Sequence, residues 1–396
     1  MRLPGGLGEL TYCLNIHPTQ SWAEAEAALL GPVRAVKSAV CPDAPFAVGL
    51  RFSAETLGEL NDPVRRARLA DICAAEGFKP LTMNGFPYGP FHGARVKEDV
   101  YQPDWGRPER LAYTIGLAEL LAEANPEGSF ISLSTVPGCF KPLAEGREAA
   151  MAEAMLQATA RLVDLRARTG RTVALALEPE PFCFLETIAE TVAFFRDHLF
   201  SAPAIDRLAA LARISAADAA KAAPRHLGLC YDVCHAAVEY EDAAASLAAL
   251  RAAGVPVHKL QLSSALRLAQ ATPEARAALA RFDEPTYLHQ VHRRAPSGAR
   301  IMHSDLGEAL AAPDIDPAEE WRVHFHVPVF LDALPDFDTT QAFLAEVLAL
   351  HRADPISSHL EVETYTWDVL PPGLAAGSVD QAVARELDWV RGRLTD

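Results

Sequence analysis

The sequence predicts an α/β fold, a single closed (β/α)8 barrel, on three observations. Short apolar, β-rich runs alternate with Ala/Leu-rich amphipathic stretches along the chain, the pattern of βα units around a parallel sheet. Eight such apolar runs occur, enough to close a barrel. Several amphipathic stretches stop at a glycine, among them Gly77 and Gly170, as helices do where the chain must turn left-handed.

In order, strands are expected at 10–16, 46–52, 80–85, 130–136, 173–178, 227–232, 257–263 and 358–364. Helices are expected at 22–39, 63–76, 108–124, 149–169 and 188–198, with 339–351 before the last strand and 379–394 closing the ring. No internal repeat or low-complexity linker divides residues 1–396, so one domain is expected. Residues 266–338 are too long for an ordinary βα connection and must be an insertion between the seventh and eighth strands. It carries its own helix and the strand-like run VHFHVPVF. Insertions of this kind sit at the catalytic, carboxyl-terminal rim of a TIM barrel.

With 50% hydrophobic residues in 396, the chain has ample material for a large core. Its 52 acidic and 36 basic residues leave a net charge of −16, which opposes nucleic acid and anionic membranes because no phosphate-neutralising excess remains. A small-molecule substrate is the expected partner. The start MRLPGGLGEL lacks the charged and apolar regions of a signal peptide, and no apolar run approaches the roughly 20 residues that span a bilayer. The chain is therefore expected in the cytoplasm. Its seven cysteines are odd in number and form no CxxC pair, which predicts free thiols.

Polar residues that end barrel strands face the catalytic rim. Four successive strands carry one: Glu178 in TVALALEPEPF, Asp232 in LGLCYDVCH, Gln261 in VHKLQLSS and Glu363 in HLEVETYTW. Carboxylates buried together are costly unless a cation or hydrogen bonds compensate them. Three carboxylates and an amide oxygen suit one Mn²⁺, Mg²⁺ or Co²⁺ better than Zn²⁺, which remains an alternative. The competing reading is a solvated acidic rim without metal. His235, three residues after Asp232, faces the same rim and could bind a substrate hydroxyl or the metal. His324 and His326 share one face of an extended segment, His324 as a substrate contact and His326 as a metal ligand, or either as a structural histidine. After the third strand, TMNGFPYGPFHG brings Asn84 and His92 to the rim as a substrate wall, or else its aromatics fill the barrel mouth. Period-two alternation puts Lys259 and Glu361 one layer below Gln261 and Glu363, as a buried ion pair under the site.

On these residues the chain resembles the xylose-isomerase-like TIM-barrel superfamily, which includes sugar epimerases and isomerases and endonuclease IV-like enzymes. ALALEPEP, GLCYDVCHA and VETYTW carry the likeness. The resemblance implies that Glu178, Asp232 and Glu363 bind metal, that His235 touches substrate, and that Arg267 in KLQLSSALR is a substrate-binding arginine. The seventh-strand ligand of the family is a histidine where this chain has Gln261; His326 is the candidate for the missing nitrogen. TYCLNIHPTQSW, NGFPYGPFHG, VKEDVYQPDW and WRVHFHVPVF also resemble EboE-type metabolite traffic proteins of secondary metabolism. That likeness implies other proteins of the same pathway as partners.

Isomerase or epimerase chemistry on a sugar-like or cyclitol-like substrate follows as the expected activity, with Glu178 and Glu363 as catalytic base and acid across an enediolate. The alternatives are metal-dependent hydrolysis of a small phosphorylated metabolite and a carrier that binds without transforming.

Overall fold

Apolar runs that are buried on both faces need a sheet with helices outside it and side chains inside. In the computed structural model, which describes residues 1–93, 95–370 and 377–395, such runs form β1 (Glu9–Tyr12), β2 (Phe46–Leu50), β3 (Phe78–Asn84), β4 (Phe130–Thr135), β5 (Thr172–Leu177), β6 (Leu227–Asp232) and β7 (Val257–Leu262). The chain then leaves the barrel through β8 (Ser264–Leu268), β9 (Val291–Arg294), β10 (Arg300–His303), β11 (Glu320–Val327), β12 (Ala333–Leu334) and β13 (Phe337–Thr339). It returns as β14 (His359–Val362).

Eight parallel strands are hydrogen-bonded in the order β1-β14-β7-β6-β5-β4-β3-β2. A parallel bridge between Cys13 and Gly49 joins the two ends, and Thr11 Oγ1 donates to Ala47 O at 2.6 Å across the same seam. The fold is therefore the expected (β/α)8 barrel. Every one of the eight expected strand runs is a barrel strand, with ends displaced by a few residues.

The insertion builds a second, antiparallel sheet in the order β10-β9-β11-β8-β13-β12. Only Ser263 separates β7 from β8, so one extended run serves both sheets. Its own core gathers Leu266, Phe282, Trp321, Val323, Phe325 and Phe337. Antiparallel pairing with β8 brings the end of β11 back to the barrel, where His326 stands opposite Ala265 and Val327 opposite Ser264.

Helices Pro63–Glu76 and Glu148–Thr169 stop at Gly77 and Gly170, whose φ values are 64° and 69°. The helix expected over 22–39 is Trp22–Ala28 and Arg34–Val40 joined by a π turn at Leu29–Val33. Pro32 is the cause, since it has no N–H to give the α ladder. Helices Ala202–Ala212, Ala216–His226 and Ala243–Ala252 lie outside the expected set. No helix among the described residues is long and apolar enough to cross a membrane. All seven cysteines are free thiols.

Candidate metal centre

Parallel strands deliver their last side chains to one rim. Glu178 follows β5, Asp232 ends β6 and Glu363 follows β14, and all three are buried. One ligand-capable oxygen of each lies within 4.8 Å of the others. Asp232 caps the helix Val233–Val238: its Oδ1 accepts from His235 N–H at 3.0 Å and from Ser263 Oγ at 2.8 Å. Its Oδ2 has no hydrogen-bond partner among the described residues, and neither does Glu178 Oε2. Glu363 Oε1 accepts from the side-chain amides of Asn15 and Asn84, the latter at 3.0 Å. Asn84, expected at the substrate, thus orients a carboxylate at the same rim.

Gln261 is fully buried in β7 beside Asp232 of β6, and both atoms of its amide group lack a partner among the described residues. One layer below, Lys259 Nζ lies 2.6 Å from Glu361 Oε1 with neither side chain exposed. Thr82 donates to the other Glu361 oxygen, and Ser134 Oγ accepts from Lys259 at 3.3 Å. A Cβ on Gly49 would fall inside the Glu361 carboxylate, so glycine there makes room for the pair. Burial alone would lower the Lys259 ammonium, yet Glu361 raises it above its ordinary value.

Burial, and then the charge of Glu363, push the Glu178 carboxyl well above its usual range. Burial raises Glu363 as well, with His326 opposing. Three mutually close, buried carboxylates with two unpartnered oxygens fit a divalent cation, which would compensate charge that the protein leaves uncompensated at this layer.

Beside them stand three histidines. His235 Nε2 is 3.1 Å from His324 Nε2, and His324 Nε2 is 3.2 Å from His326 Nε2. Their outer nitrogens meet Pro179 O at 2.8 Å, Gln290 Oε1 at 2.7 Å and Glu363 O at 2.7 Å respectively. Burial lowers His235 and takes His324 well below the ordinary histidine value.

A cavity opens above Glu178 and Glu363, with Asn15, Asn84, Glu180 and His235 also in its polar lining. Phe86, Phe91, Tyr101, Tyr287 and Tyr365 supply aromatic wall. Phe91 of the Gly/Pro loop therefore faces the cavity, while Tyr88 packs on Tyr113 at 5.0 Å. His92 is not in that lining; its Nε2 meets Asn15 O at 2.6 Å and its Nδ1 meets Tyr287 OH at 3.3 Å, which braces the Asn15 turn.

Arg267 is expected from the sequence to bind substrate. It sits on β8 in the second sheet, paired with Glu320 at 2.8 Å and Asp338 at 3.2 Å, and does not line the cavity. The reason is that the chain has already left the barrel at Ser263. Glu180, Asn15, Tyr101 and Gln290 also stand at the site, outside the residues expected from the sequence. Tyr101 OH donates to Glu180 Oε1 at 2.9 Å, and burial raises the Glu180 carboxyl to about 8. The doubled glutamate in EPEP was the available signal for Glu180, and a polar position near the end of the expected strand 10–16 was the signal for Asn15; Tyr101 and Gln290 had none, since their segments carry no periodicity.

No protein-family model and no characterised protein sequence matches the chain. Among solved structures it is similar to a zinc-bound IolI protein, at 12% identity over 98% of each chain with a TM-score of 0.48. It is similar to an L-ribulose 3-epimerase at 12% identity over 98% of this chain and 94% of that one, TM-score 0.47. A xylose isomerase domain protein from Alicyclobacillus acidocaldarius matches at 13% identity over 97% and 98%, TM-score 0.45.

Proposed function

We propose that this chain is a divalent-metal-dependent isomerase or epimerase that moves a proton within a sugar-like or cyclitol-like small molecule. One observation carries the reading: Glu178, Asp232 and Glu363 offer ligand oxygens within 4.8 Å of one another, and Glu178 and Glu363 line a polar-bottomed cavity. These three hold the ion in this proposal. Gln261 is the fourth candidate because its amide is buried and unpartnered among the described residues. Oxygen donors of this kind favour Mn²⁺, Mg²⁺ or Co²⁺. Bound there, the cation supplies Lewis-acid stabilisation of negative charge on substrate oxygens.

The chain's own groups do the rest. Glu363, whose Oε1 accepts from the side-chain amides of Asn15 and Asn84, is oriented by them and acts as the base. Glu178, which lacks such donors on Oε2 among the described residues, returns the proton as the acid across an enediolate. The aromatic wall stacks on the apolar face of a ring and keeps water out. In this reading the substrate belongs to the secondary-metabolite pathway that the EboE-type resemblance implies, with other proteins of that pathway as partners.

The test is solvent deuterium exchange into a panel of ketoses, keto-glycosides and inososes, followed by NMR with Mn²⁺ present. Exchange that needs both carboxylates, falling at least 100-fold in Glu178→Gln and in Glu363→Gln, is expected, in line with the loss of an acid or base. Exchange unchanged in either variant overturns the assignment. A second reading, hydrolysis of a small phosphorylated metabolite, is favoured by the histidines that abut the carboxylates; phosphate release without deuterium exchange would select it.

A further inference from the structure

The three imidazoles at the barrel mouth turn their Nε2 atoms toward one another, and their protons can be assigned. Pro179 O and Glu363 O are backbone carbonyls, which have no hydrogen to give, so Nδ1 of His235 and of His326 must be the donors. Gln290 Nε2 donates to the Pro181 carbonyl at 3.2 Å and to Tyr101 OH at 2.9 Å, which leaves its oxygen facing His324 Nδ1. That nitrogen is therefore a donor too. A neutral imidazole carries one N–H. All three Nε2 atoms are then bare lone pairs, and bare lone pairs at 3.1 and 3.2 Å repel rather than bond.

A fourth donor faces the same place. Asp232 Oδ2 is buried, unpartnered among the described residues and 3.8 Å from His235 Nε2. Asp232, His235 and His326 each offer a ligand atom within 4.8 Å of the others.

We propose that His235, His324 and His326, with Asp232, hold a Zn²⁺ ion beside the carboxylate centre. The proposal goes beyond the preceding reading and shares Asp232 with it; His326 belongs to this second ion rather than to the first. Zinc bonded to imidazole at about 2.0–2.1 Å in a tetrahedron separates neighbouring nitrogens by about 3.3 Å, close to the 3.1 Å from His235 to His324 and the 3.2 Å from His324 to His326. Nitrogen donors select zinc where the oxygen set next door does not. Carbonyl groups on each Nδ1–H are the outer contacts that fix a ligating histidine's ring and tautomer. Two ions a bridging aspartate apart would let the centre grip two neighbouring oxygens of one substrate.

Zinc X-ray absorption on the wild-type protein, freed of loosely held metal, decides the matter without relying on any variant's folding. The carboxylate centre offers oxygen donors, so multiple scattering from about three imidazoles around one zinc equivalent can come from the histidine site alone. That spectrum is expected. His324→Gln with His326→Gln should lose that equivalent and the imidazole signal while Mn²⁺ bound at the carboxylates, read by electron paramagnetic resonance, is retained. Glu178→Gln with Glu363→Gln should do the reverse. A zinc shell of oxygen only, or no retained zinc in the wild type, overturns the histidine site and leaves the carboxylate reading standing. Imidazole-bound zinc with no Mn²⁺ binding sinks the carboxylate reading instead.

Discussion

Lys259 and Glu361 show how much a single buried charge depends on its partner. Each is fully enclosed, and their contact is 2.6 Å long. Glu361→Gln leaves the ammonium paired with a neutral amide and should cost about 3–5 kcal/mol in urea unfolding, as expected for one half of a buried pair. A cost below about 1 kcal/mol would show that the pair carries little. Glu386 is the opposite case, a buried acid without a basic partner among the described residues. Burial raises it to about 7, against hydrogen bonds from Thr364 Oγ1 at 2.6 Å and Val329 N–H at 3.1 Å. Its folded value lies above the unfolded value of about 4.3, so the folded chain binds more protons between the two. The resulting stability is present below about pH 4.3 and is lost as pH rises through about 7. Glu386→Gln keeps the acceptor oxygen and removes the titration. It should be more stable than the parent at pH 8 by roughly 3 kcal/mol, and show no such gain at pH 4.5, in paired urea melts.

At the scale of elements, β11 decides the character of the site. It is a strand of the second sheet, yet its end carries His324 and His326 to the barrel rim. Phe325, between them, points the other way, 5.1 Å from Phe282 and 4.7 Å from His289 in ring centroids. Removing that packing loosens the strand that holds both histidines. Phe325→Ala should cost about 3–5 kcal/mol and weaken zinc retention, although the substituted side chain touches no ligand atom in the proposed site. Unchanged zinc content in a measurably destabilised variant would show that β11 holds its histidines without the second core. The same element explains Arg267: because β8 belongs to this sheet, its side chains answer to Glu320 and Asp338 instead of to the cavity.

For the whole molecule, the carboxylate centre ties strands β5, β6 and β14 together, so a bound cation should stabilise the complete barrel. Mn²⁺ at 100 times its dissociation constant adds about 2.7 kcal/mol by mass action. Differential scanning calorimetry should show a rise in Tm with Mn²⁺ that chelation reverses. Asp232→Asn keeps the Oδ1 cap of the helix Val233–Val238 but removes the charge, and should abolish most of that rise. An equal rise in both proteins would place the cation elsewhere.

The barrel was legible because strand burial and alternation are local properties of the backbone. Apolar runs at 227–232 and 257–263 declare themselves without reference to the rest of the chain, and a period of two then places Lys259 under Gln261 and Glu361 under Glu363. Strand-end logic brought Glu178, Asp232 and Glu363 to one rim for the same reason. What the histidines do was beyond that logic. His235 and His324 are separated by 89 positions in sequence, and their meeting depends on where an antiparallel sheet folds back. The proton positions depend in turn on Pro179, Gln290 and Glu363, contacts that no periodicity encodes. Sequence alone determined the barrel and the acids at its mouth; tertiary structure decided which side chains face them, because convergence between separate loops is set by long-range register and packing.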